Sequence, residues 1–377
     1  MIYGLAALAI LQGIFVLVEG IRSARYMRTF RPQPSASRER IVVFCPCKGT
    51  DSEFEKNIRS ILEQDYPRYE VNFIVESEAD PAFEALRNLG VRNILVAGRA
   101  ADCGQKVHNL AYAVTRTGRA SDIYVFCDSD ARFPHDWLSK LIAPLDRTNI
   151  TSGYRWYAVN RFHLPTLMRS GWNASSAGIL GDHGRNFAWG GSTAMYRETF
   201  ERLNILLAWR GSVSDDYAIT NAAQRSGTRI LFVPECLIPT YGECTWRETF
   251  EFTTRQIVIT RVYHAWLWRV GFAGYAVSNA AFLLLPWIHP ILWIGVYALS
   301  VAQSWIRYRT VQTVLPPQAL SKCGWFYILC SPVVALLYLY NMIASALGTD
   351  IVWRQIHYKL ISPNETQVFG DSAASES

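Results

Sequence analysis

The apolar residues of this 377-residue chain are concentrated towards its two ends, and this division constrains its fold more than any other feature. Residues 2–18 carry no charged side chain, and two further apolar blocks cover residues 271–305 and 324–348. Residues 40–250, between them, have the mixed composition of a water-exposed domain. With 50% hydrophobic and 18% charged residues, the chain is too apolar for an ordinary soluble domain and too polar for a pure transporter. The sequence therefore predicts a water-exposed domain held on a membrane by segments at both ends.

The first apolar run is long enough to cross a thin bilayer. A cleaved signal peptide is the alternative, but no basic residue precedes the run. The basic residues follow it instead: Arg22, Arg25, Arg28 and Arg31. Positive charges on this side keep the next segment in the cytoplasm. We therefore expect a transmembrane anchor over residues 1–22, and a multi-pass membrane protein whose large domain, residues 38–250, lies on the cytoplasmic side.

The C-terminal third is predicted to contact the membrane in several ways. Residues 251–270 mix arginines with tryptophan and tyrosine, which is typical of an interfacial amphipathic helix. Residues 271–349 predict transmembrane or re-entrant segments, with a hairpin turn at "LPWIHP", residues 285–290. Three late spans would leave the final basic stretch outside, against the positive-inside expectation, so the number of spans stays open. Residues 350–377 are interpreted as a basic tail with a disordered C-terminus.

In the central domain, segments typical of buried strands alternate with helical segments of about ten residues. This alternation predicts an α/β, Rossmann-like fold, with a mainly parallel sheet and helices on both faces. Ligands of such sheets bind at the carboxyl ends of the strands. Three of the four predicted strand ends carry acids or a lysine: Lys48 and Asp51; Glu76, Glu78 and Asp80; Asp128 and Asp130. We expect one polar pocket to collect them.

Asp128 and Asp130 follow a buried strand in D-x-D spacing, so both carboxylates can reach one hard cation. Mg²⁺ and Mn²⁺ favour carboxylate and phosphate oxygens, commonly one or two carboxylates with substrate phosphates. The alternative is a simple turn, because Asp-Ser-Asp is also good turn chemistry. The position beside other acidic strand ends favours the metal site.

Two further polar groups are candidate donor-binding residues. Glu76 and Glu78 are placed to recognise ribose hydroxyls or a base edge, unless they belong to a solvated loop. Lys106 and Asn109 lie at a predicted helix start, where a phosphate or base can be met. A lone lysine at such a position is also unremarkable.

Gly190 and Gly191 allow the backbone to approach a ligand closely. Asp215 and Asp216 follow serines that can cap a helix. A buried carboxylate beside an acidic neighbour has a raised pKa, which suits a general base. The alternative is that the two acids complement the helix N-terminus.

Taken in order, these motifs resemble a known family. "PCKGTD", "VESEADP", "GQKVHNL", "CDSDARF", "GGSTAMYRE" and "SDDYAI", followed by a basic aromatic helix and membrane segments, are similar to the GT-A glycosyltransferases of family 2, and within them to the ceramide glucosyltransferase group. The resemblance covers nearly the whole chain. It implies transfer of a hexose, glucose above all, from a UDP-sugar to a lipid hydroxyl, with Mg²⁺ or Mn²⁺ as cofactor and a β-linked product.

The resemblance also implies residue roles. Asp128 and Asp130 would hold the metal on the donor diphosphate, and Asp216 would be the catalytic base with Asp215 beside it. Glu76 falls near the position that binds the nucleoside. Other acceptors, such as diacylglycerol, a sterol or a hopanoid, present a similar hydroxyl.

The (Q/R)-x-x-R-W motif of the family is altered. Arg255 fits its first position, but Val258 and Ile259 stand where Arg-Trp is expected. Arg261, on the same predicted helix, is a candidate to supply the missing charge. Otherwise, diphosphate binding would be weaker than in the family.

Two other functions remain open: a processive polysaccharide synthase, which needs more spans and an intact arginine motif, and a catalytically inactive, membrane-anchored protein that binds a nucleotide sugar. Nucleic acid is not an expected partner. The net charge of +6 is modest, and no stripe of aromatic and basic residues is present.

Overall fold

The computed structural model describes residues 2–32, 39–182, 184–320 and 322–371. The chain forms two compact units. The helical unit comprises Met1–Phe30, Trp156–Gly181 and Glu243–Thr349, and the sheet unit comprises Arg31–Arg155, Asp182–Gly242 and Asp350–Ser377.

The described strands, in chain order, are β1 Ile41–Pro46, β2 Tyr69–Val75, β3 Ile94–Val96, β4 Ile123–Cys127, β5 Asn149–Tyr157, β6 Ser192–Tyr196, β7 Arg229–Thr240, β8 Asp350–Trp353, β9 Ile356–Ser362 and β10 Glu365–Asp371. The described α-helices are α1 Ile2–Thr29, α2 Phe54–Leu62, α3 Pro81–Asn88, α4 Gln105–Thr117, α5 Trp137–Ile142, α6 Leu164–Ala177, α7 Arg197–Arg202, α8 Ile205–Ala208, α9 Asp215–Ser226, α10 Trp246–Tyr263, α11 Ala265–Ile288, α12 Pro290–Val311, α13 Gly324–Leu329 and α14 Ser331–Leu347.

The first seven strands form one sheet in the order β3-β2-β1-β4-β6-β5-β7. β1 pairs in parallel with both β2 and β4, and β2 pairs in parallel with β3. Phe44, Phe73 and Phe126, in β1, β2 and β4, are completely buried, as expected of strands covered on both faces. The predicted α/β fold is confirmed, and the predicted strand ends lie at one edge of the sheet.

β5 and β6 were not predicted, and β6 runs antiparallel to β4 and β5. Their sequences are rich in serine, threonine and glycine, which conceals the strand pattern. The strand hydroxyls accept hydrogen bonds from residues outside the sheet: the backbone N–H of Trp189 donates to Ser152 Oγ at 2.9 Å, and Trp137 Nε1 donates to Ser192 Oγ at 2.8 Å. These bonds allow polar side chains to lie buried.

The last three strands form a second, antiparallel sheet in the order β10-β9-β8, which we call the C-terminal sheet. The interpretation of this segment as a basic tail is therefore wrong for residues 350–371. Ile356, Tyr358 and Leu360 alternate with less buried residues, so β9 buries one face, a period-two pattern that the basic residues obscure. The predicted disordered C-terminus lies mostly outside the described residues, which end at Asp371.

In the helical unit, the predicted single helix over residues 251–270 is interrupted. α10 ends at Tyr263 and α11 begins at Ala265, with His264 between them. The break between α11 and α12 falls at His289, inside the predicted "LPWIHP" turn. Among the described residues, two helices are long and apolar enough to cross a membrane, α1 and α11.

Candidate active site

A largely buried lysine connects the starts of two helices with the end of a strand. Lys106 lies in the first turn of α4, and Asp128 directly follows β4. Lys106 Nζ lies 2.8 Å from Asp128 Oδ1 and 3.0 Å from Asp215 Oδ1, at the first residue of α9. Burial alone would lower the pKa of Lys106, but these carboxylates raise it above its usual value. Lys106, predicted as a phosphate or base ligand, is thus engaged by two aspartates.

Arg155, near the end of β5, holds both aspartates of the D-x-D motif. Its Nη2 donates to Asp128 Oδ2 and Asp130 Oδ1, each at 2.8 Å, and its Nη1 donates to Asp130 Oδ2 at 3.0 Å. Its guanidinium also lies over the Trp189 ring, 5.3 Å from the centroid. Burial alone would raise the pKa of Asp130, but the Arg155 guanidinium keeps it below its usual range. Arg155 was not predicted from the sequence, because β5 itself was not predicted. The one feature that could have indicated it is a lone arginine between the aromatic residues Tyr154 and Trp156.

Asp215 and Asp216 are neighbours in sequence with different surroundings. The Asp215 side chain is 2% exposed, and its Oδ2 accepts no hydrogen bond from the described residues. Burial raises the pKa of Asp215 to about 6, against the opposing effect of Lys106. Asp216 is only partly buried, and its Oδ1 accepts hydrogen bonds from Ser214 Oγ and from the backbone N–H of Tyr217. Asp216 is therefore the more accessible of the two carboxylates.

Two glycines let the backbone pass against these carboxylates. A Cβ on Gly190 would lie 2.1 Å from Asp215 Oδ2 and 2.7 Å from Lys106 Nζ. A Cβ on Gly191 would lie 2.7 Å from Asp128 Oδ2, and closer still to the Trp189 ring. Distances this short are not tolerated between non-bonded atoms, so a side chain at either position would force the neighbouring side chains to move. The backbone at these two glycines lies close to the side chains of Asp215 and Asp128. Its close approach to a ligand stays a prediction.

The other acidic strand ends carry separate contacts. Lys48, after β1, forms an ion pair with Glu76, after β2. Asp80 Oδ1 accepts hydrogen bonds from the backbone N–H groups of Gly49, at 2.8 Å, and Ala82, at 2.9 Å. Glu78 is exposed. The Lys48–Glu76 pair thus lies at the same sheet edge, because β1 neighbours both β2 and β4, but no described contact joins it to Lys106.

Asn109 is 2% exposed, and its Oδ1 accepts a hydrogen bond from Gln105 Nε2 at 2.8 Å. These contacts favour a structural role for Asn109 inside α4. Arg255 and Arg261 belong to α10 of the helical unit. Arg255 Nη1 lies 3.5 Å from Glu251 Oε1.

The Arg261 guanidinium donates to the carbonyl oxygens of Ala346 and Gly348, each at 3.0 Å. These carbonyls belong to the C-terminal end of α14, where a cation is favoured by the helix dipole. Arg261 thus has a helix-capping contact that explains its charge, and replacement of the missing motif arginine by Arg261 stays a prediction.

The residues present fit a divalent cation. Arg155 holds Asp128 and Asp130 together, and carboxylates with substrate phosphates are the ligands that Mg²⁺ and Mn²⁺ favour. Two cationic side chains, Lys106 and Arg155, pair with three of the four carboxylates of the two Asp pairs, so these groups leave net negative charge for a metal. Among the described residues, no group of three or more side chains of the usual metal-ligating types is assembled, so further ligands must come from the substrate or water.

The family model for glycosyl transferase family 21 matches residues 2–366 of the chain. The chain belongs to glycosyltransferase family 21. This result confirms the glycosyltransferase assignment made from the motifs, whereas the assignment to family 2 is not confirmed. The family 21 chain is therefore a sugar-transferring enzyme.

Two solved structures are similar to the chain. A mannosyltransferase from Pyrobaculum calidifontis, solved with GDP-Man and Mn²⁺, is 21% identical with a TM-score of 0.50, and the match covers 92% of this chain and 98% of that one. Glucosyl-3-phosphoglycerate synthase from Mycobacterium tuberculosis, solved with Mn²⁺ and UDP-glucose, is 17% identical with a TM-score of 0.40, and the match covers 60% of this chain and 80% of that one. At this level of identity, the first match supports only the fold of the family 21 chain, which is GT-A-like.

Proposed function

We propose that this family 21 enzyme is an inverting glycosyltransferase that moves a hexose, most readily glucose, from a UDP-sugar to the hydroxyl of a membrane lipid such as ceramide. The observation that carries the proposal is that the clustered aspartates differ in their partners and in their accessibility. Asp128 and Asp130 are held as a pair by Arg155, while Asp216 stays partly accessible beside the buried Asp215, which pairs with Lys106.

Asp128 and Asp130 would hold a Mg²⁺ or Mn²⁺ ion against the donor diphosphate. An ion bound there would supply positive charge to offset the charge of the departing nucleoside diphosphate. Arg155 keeps the two carboxylates in a fixed mutual orientation through its three hydrogen bonds. The lowered pKa of Asp130, in which the Arg155 cation outweighs burial, keeps that carboxylate ionised at neutral pH.

Asp216 is the proposed general base. It takes the proton from the acceptor hydroxyl as that oxygen forms a bond to the anomeric carbon, while the bond from this carbon to the diphosphate oxygen breaks. Attack from the face opposite the leaving group inverts the configuration and gives a β-linked product. Asp215 is unsuited to this step because it is buried and paired with Lys106.

The membrane features support a lipid acceptor. α1 and α11 are long and apolar enough to cross a bilayer. Large apolar side chains near the α11–α12 turn, such as Trp287 and Ile291, are highly exposed, which suits contact with lipid. A catalytic domain on the cytoplasmic side is part of the proposal.

The test is product identification with the full-length protein in lipid nanodiscs. UDP-Glc, UDP-Gal, UDP-GlcNAc and GDP-Man are each offered with Mn²⁺ and with ceramide, diacylglycerol or a sterol, and the products are identified by mass spectrometry and anomeric NMR. We expect formation of a β-hexosyl lipid, and we expect EDTA to abolish its formation. A polymeric product would favour the processive synthase, and donor binding without turnover would favour the inactive protein.

The base assignment has its own variant. Asp216→Asn keeps the side-chain shape and should lower kcat at least about 100-fold, as loss of a general base does, while UDP binding is retained. Glu198→Gln, an exposed acid in the first turn of α7, is the matched control and should remain fully active. An active Asp216→Asn enzyme would remove Asp216 as the base.

A further inference from the structure

The turn between β8 and β9 presents an arginine that the sequence interpretation assigned to a tail. Trp353 and Ile356 pair across the hairpin, so only Arg354 and Gln355 form the turn. Their φ angles are 50° and 68°, the left-handed conformation of a tight two-residue hairpin turn. Both residues are exposed. The backbone of Arg354 is therefore closely defined by the hairpin, while its side chain is accessible.

The C-terminal sheet is attached to the two segments that lead into the aspartate and lysine cluster. The backbone N–H of Gln105, the residue before Lys106, donates to Tyr358 Oη at 3.2 Å. Thr366 Oγ1 donates to the carbonyl oxygen of Gly211, four residues before Asp215, at 2.7 Å. The sheet therefore bridges the start of α4 and the approach to α9.

Arg354 itself has no hydrogen bond or ion pair with any described residue, yet its charge acts on the acids at the sheet edge. Burial raises the pKa of Asp51, and Arg354 opposes this increase. The hydrogen bond between Gln105 and Tyr358 places the C-terminal sheet, to which the Arg354 turn belongs, beside Lys106, the partner of Asp128 in the D-x-D motif.

The cations otherwise expected to bind phosphate are engaged elsewhere. Lys106 is held between two aspartates, and Arg155 donates to both aspartates of the D-x-D motif. Arg261 donates to the carbonyl oxygens of Ala346 and Gly348 at the end of α14. Arg354 remains as an exposed guanidinium able to bind phosphate oxygens in a bidentate manner.

We propose that Arg354 is a substrate-binding residue that contacts the diphosphate of the sugar-nucleotide donor. The inference rests on the proposed function, because it needs a nucleoside diphosphate in the pocket beside Asp128 and Asp130. The C-terminal sheet is then a part of the donor site, holding Arg354 over it through Tyr358 and Thr366.

The experiment compares UDP and UMP binding to the full-length protein with Mn²⁺, by calorimetry. Arg354→Asn removes the charge, and asparagine tolerates the left-handed turn. We expect Arg354→Asn to weaken UDP binding about tenfold, as loss of a charge-assisted hydrogen bond does, and UMP binding much less. Arg354→Lys should lie between this variant and the wild type. Lys359→Gln, an exposed cation on β9 of the same sheet, is the matched control and should leave both affinities unchanged.

The ratio of the UMP and UDP dissociation constants is measured within one preparation, so it does not depend on the folded fraction. An unchanged ratio in Arg354→Asn would overturn the inference, and so would equal losses for the two nucleotides. Sugar transfer by the wild type separates this failure from failure of the proposed function. Transfer with an unchanged ratio removes only the role of Arg354, whereas absence of transfer from every donor removes both.

Discussion

Replacement of Lys106 by methionine tests the charge balance on which the candidate site depends. Methionine keeps most of the aliphatic stem and removes the ammonium group. The Lys106 side chain is only 16% exposed. Asp128 and Asp215 each lose an ion-pair partner, at 2.8 and 3.0 Å. Removing one partner of a buried ion pair costs about 3–5 kcal/mol, because an uncompensated charge stays buried. Since about 1 kcal/mol shifts the melting temperature of a unit this size by some degrees, we expect a decrease of about 10 °C.

The assay is thermal unfolding of the full-length protein in detergent at pH 7, followed by tryptophan fluorescence, without added metal. Lys140→Met is the matched control: Lys140 pairs with Asp136 at 2.6 Å, but both side chains are well exposed. Exposed pairs contribute about 1 kcal/mol or less, so this variant should melt within about 3 °C of the wild type. Asp128 keeps its ion pair with Arg155, so the double variant Lys106→Met/Asp215→Asn removes the carboxylate that loses its ion-pair partner and should recover part of the loss. Equal melting temperatures for Lys106→Met and Lys140→Met would refute the reasoning, as would a double variant less stable than Lys106→Met.

Two further predictions concern the same cluster. Gly190→Ala should abolish sugar transfer and lower the melting temperature, because the new Cβ would lie 2.1 Å from Asp215 Oδ2; wild-type activity in this variant would contradict the geometry. Because burial raises the pKa of Asp215 from 3.8 to about 6, ionisation of Asp215 opposes folding, so its stability contribution is present below pH 4 and is lost as the pH rises through 6. The loss amounts to about 3 kcal/mol, at about 1.4 kcal/mol for each pKa unit. In metal-free protein, the stability of the wild type relative to Asp215→Asn should therefore decrease between pH 4 and pH 7, and a pH-independent difference would contradict the raised pKa.

The parallel half of the sheet was predicted well from the sequence because the apolar composition of its strands indicates that they are buried. β1 and β4 are runs of apolar residues and β2 ends in one, and each strand is followed by the polar residues of a strand end. In a parallel sheet, the ends of neighbouring strands meet at one edge, so the meeting of Lys48 with Glu76 follows from the pattern.

The other half could not be predicted locally, since its pairing partners are distant in sequence. β5 carries Thr151, Ser152 and Arg155, all buried, and only its place between β6 and β7 explains why they are tolerated. Arg155 is buried because the carboxylates of the D-x-D motif, 25 and 27 residues earlier in the chain, compensate its charge.

Asp215 and Asp216 show most clearly what a sequence pattern leaves undetermined. Successive residues of a helix point about 100° apart, so two equal side chains at the start of α9 meet different surroundings. Asp215 points to Lys106 and is buried beside Gly190, whereas Asp216 remains partly accessible. The pattern correctly indicated a raised pKa, but burial is its main cause, the charge of Asp216 is secondary, and the raised pKa belongs to the aspartate less suited to act as base. Because Lys106 is paired with Asp128 and Asp215, a diphosphate in the pocket needs another cation. This requirement makes the turn at Arg354 the next position to test.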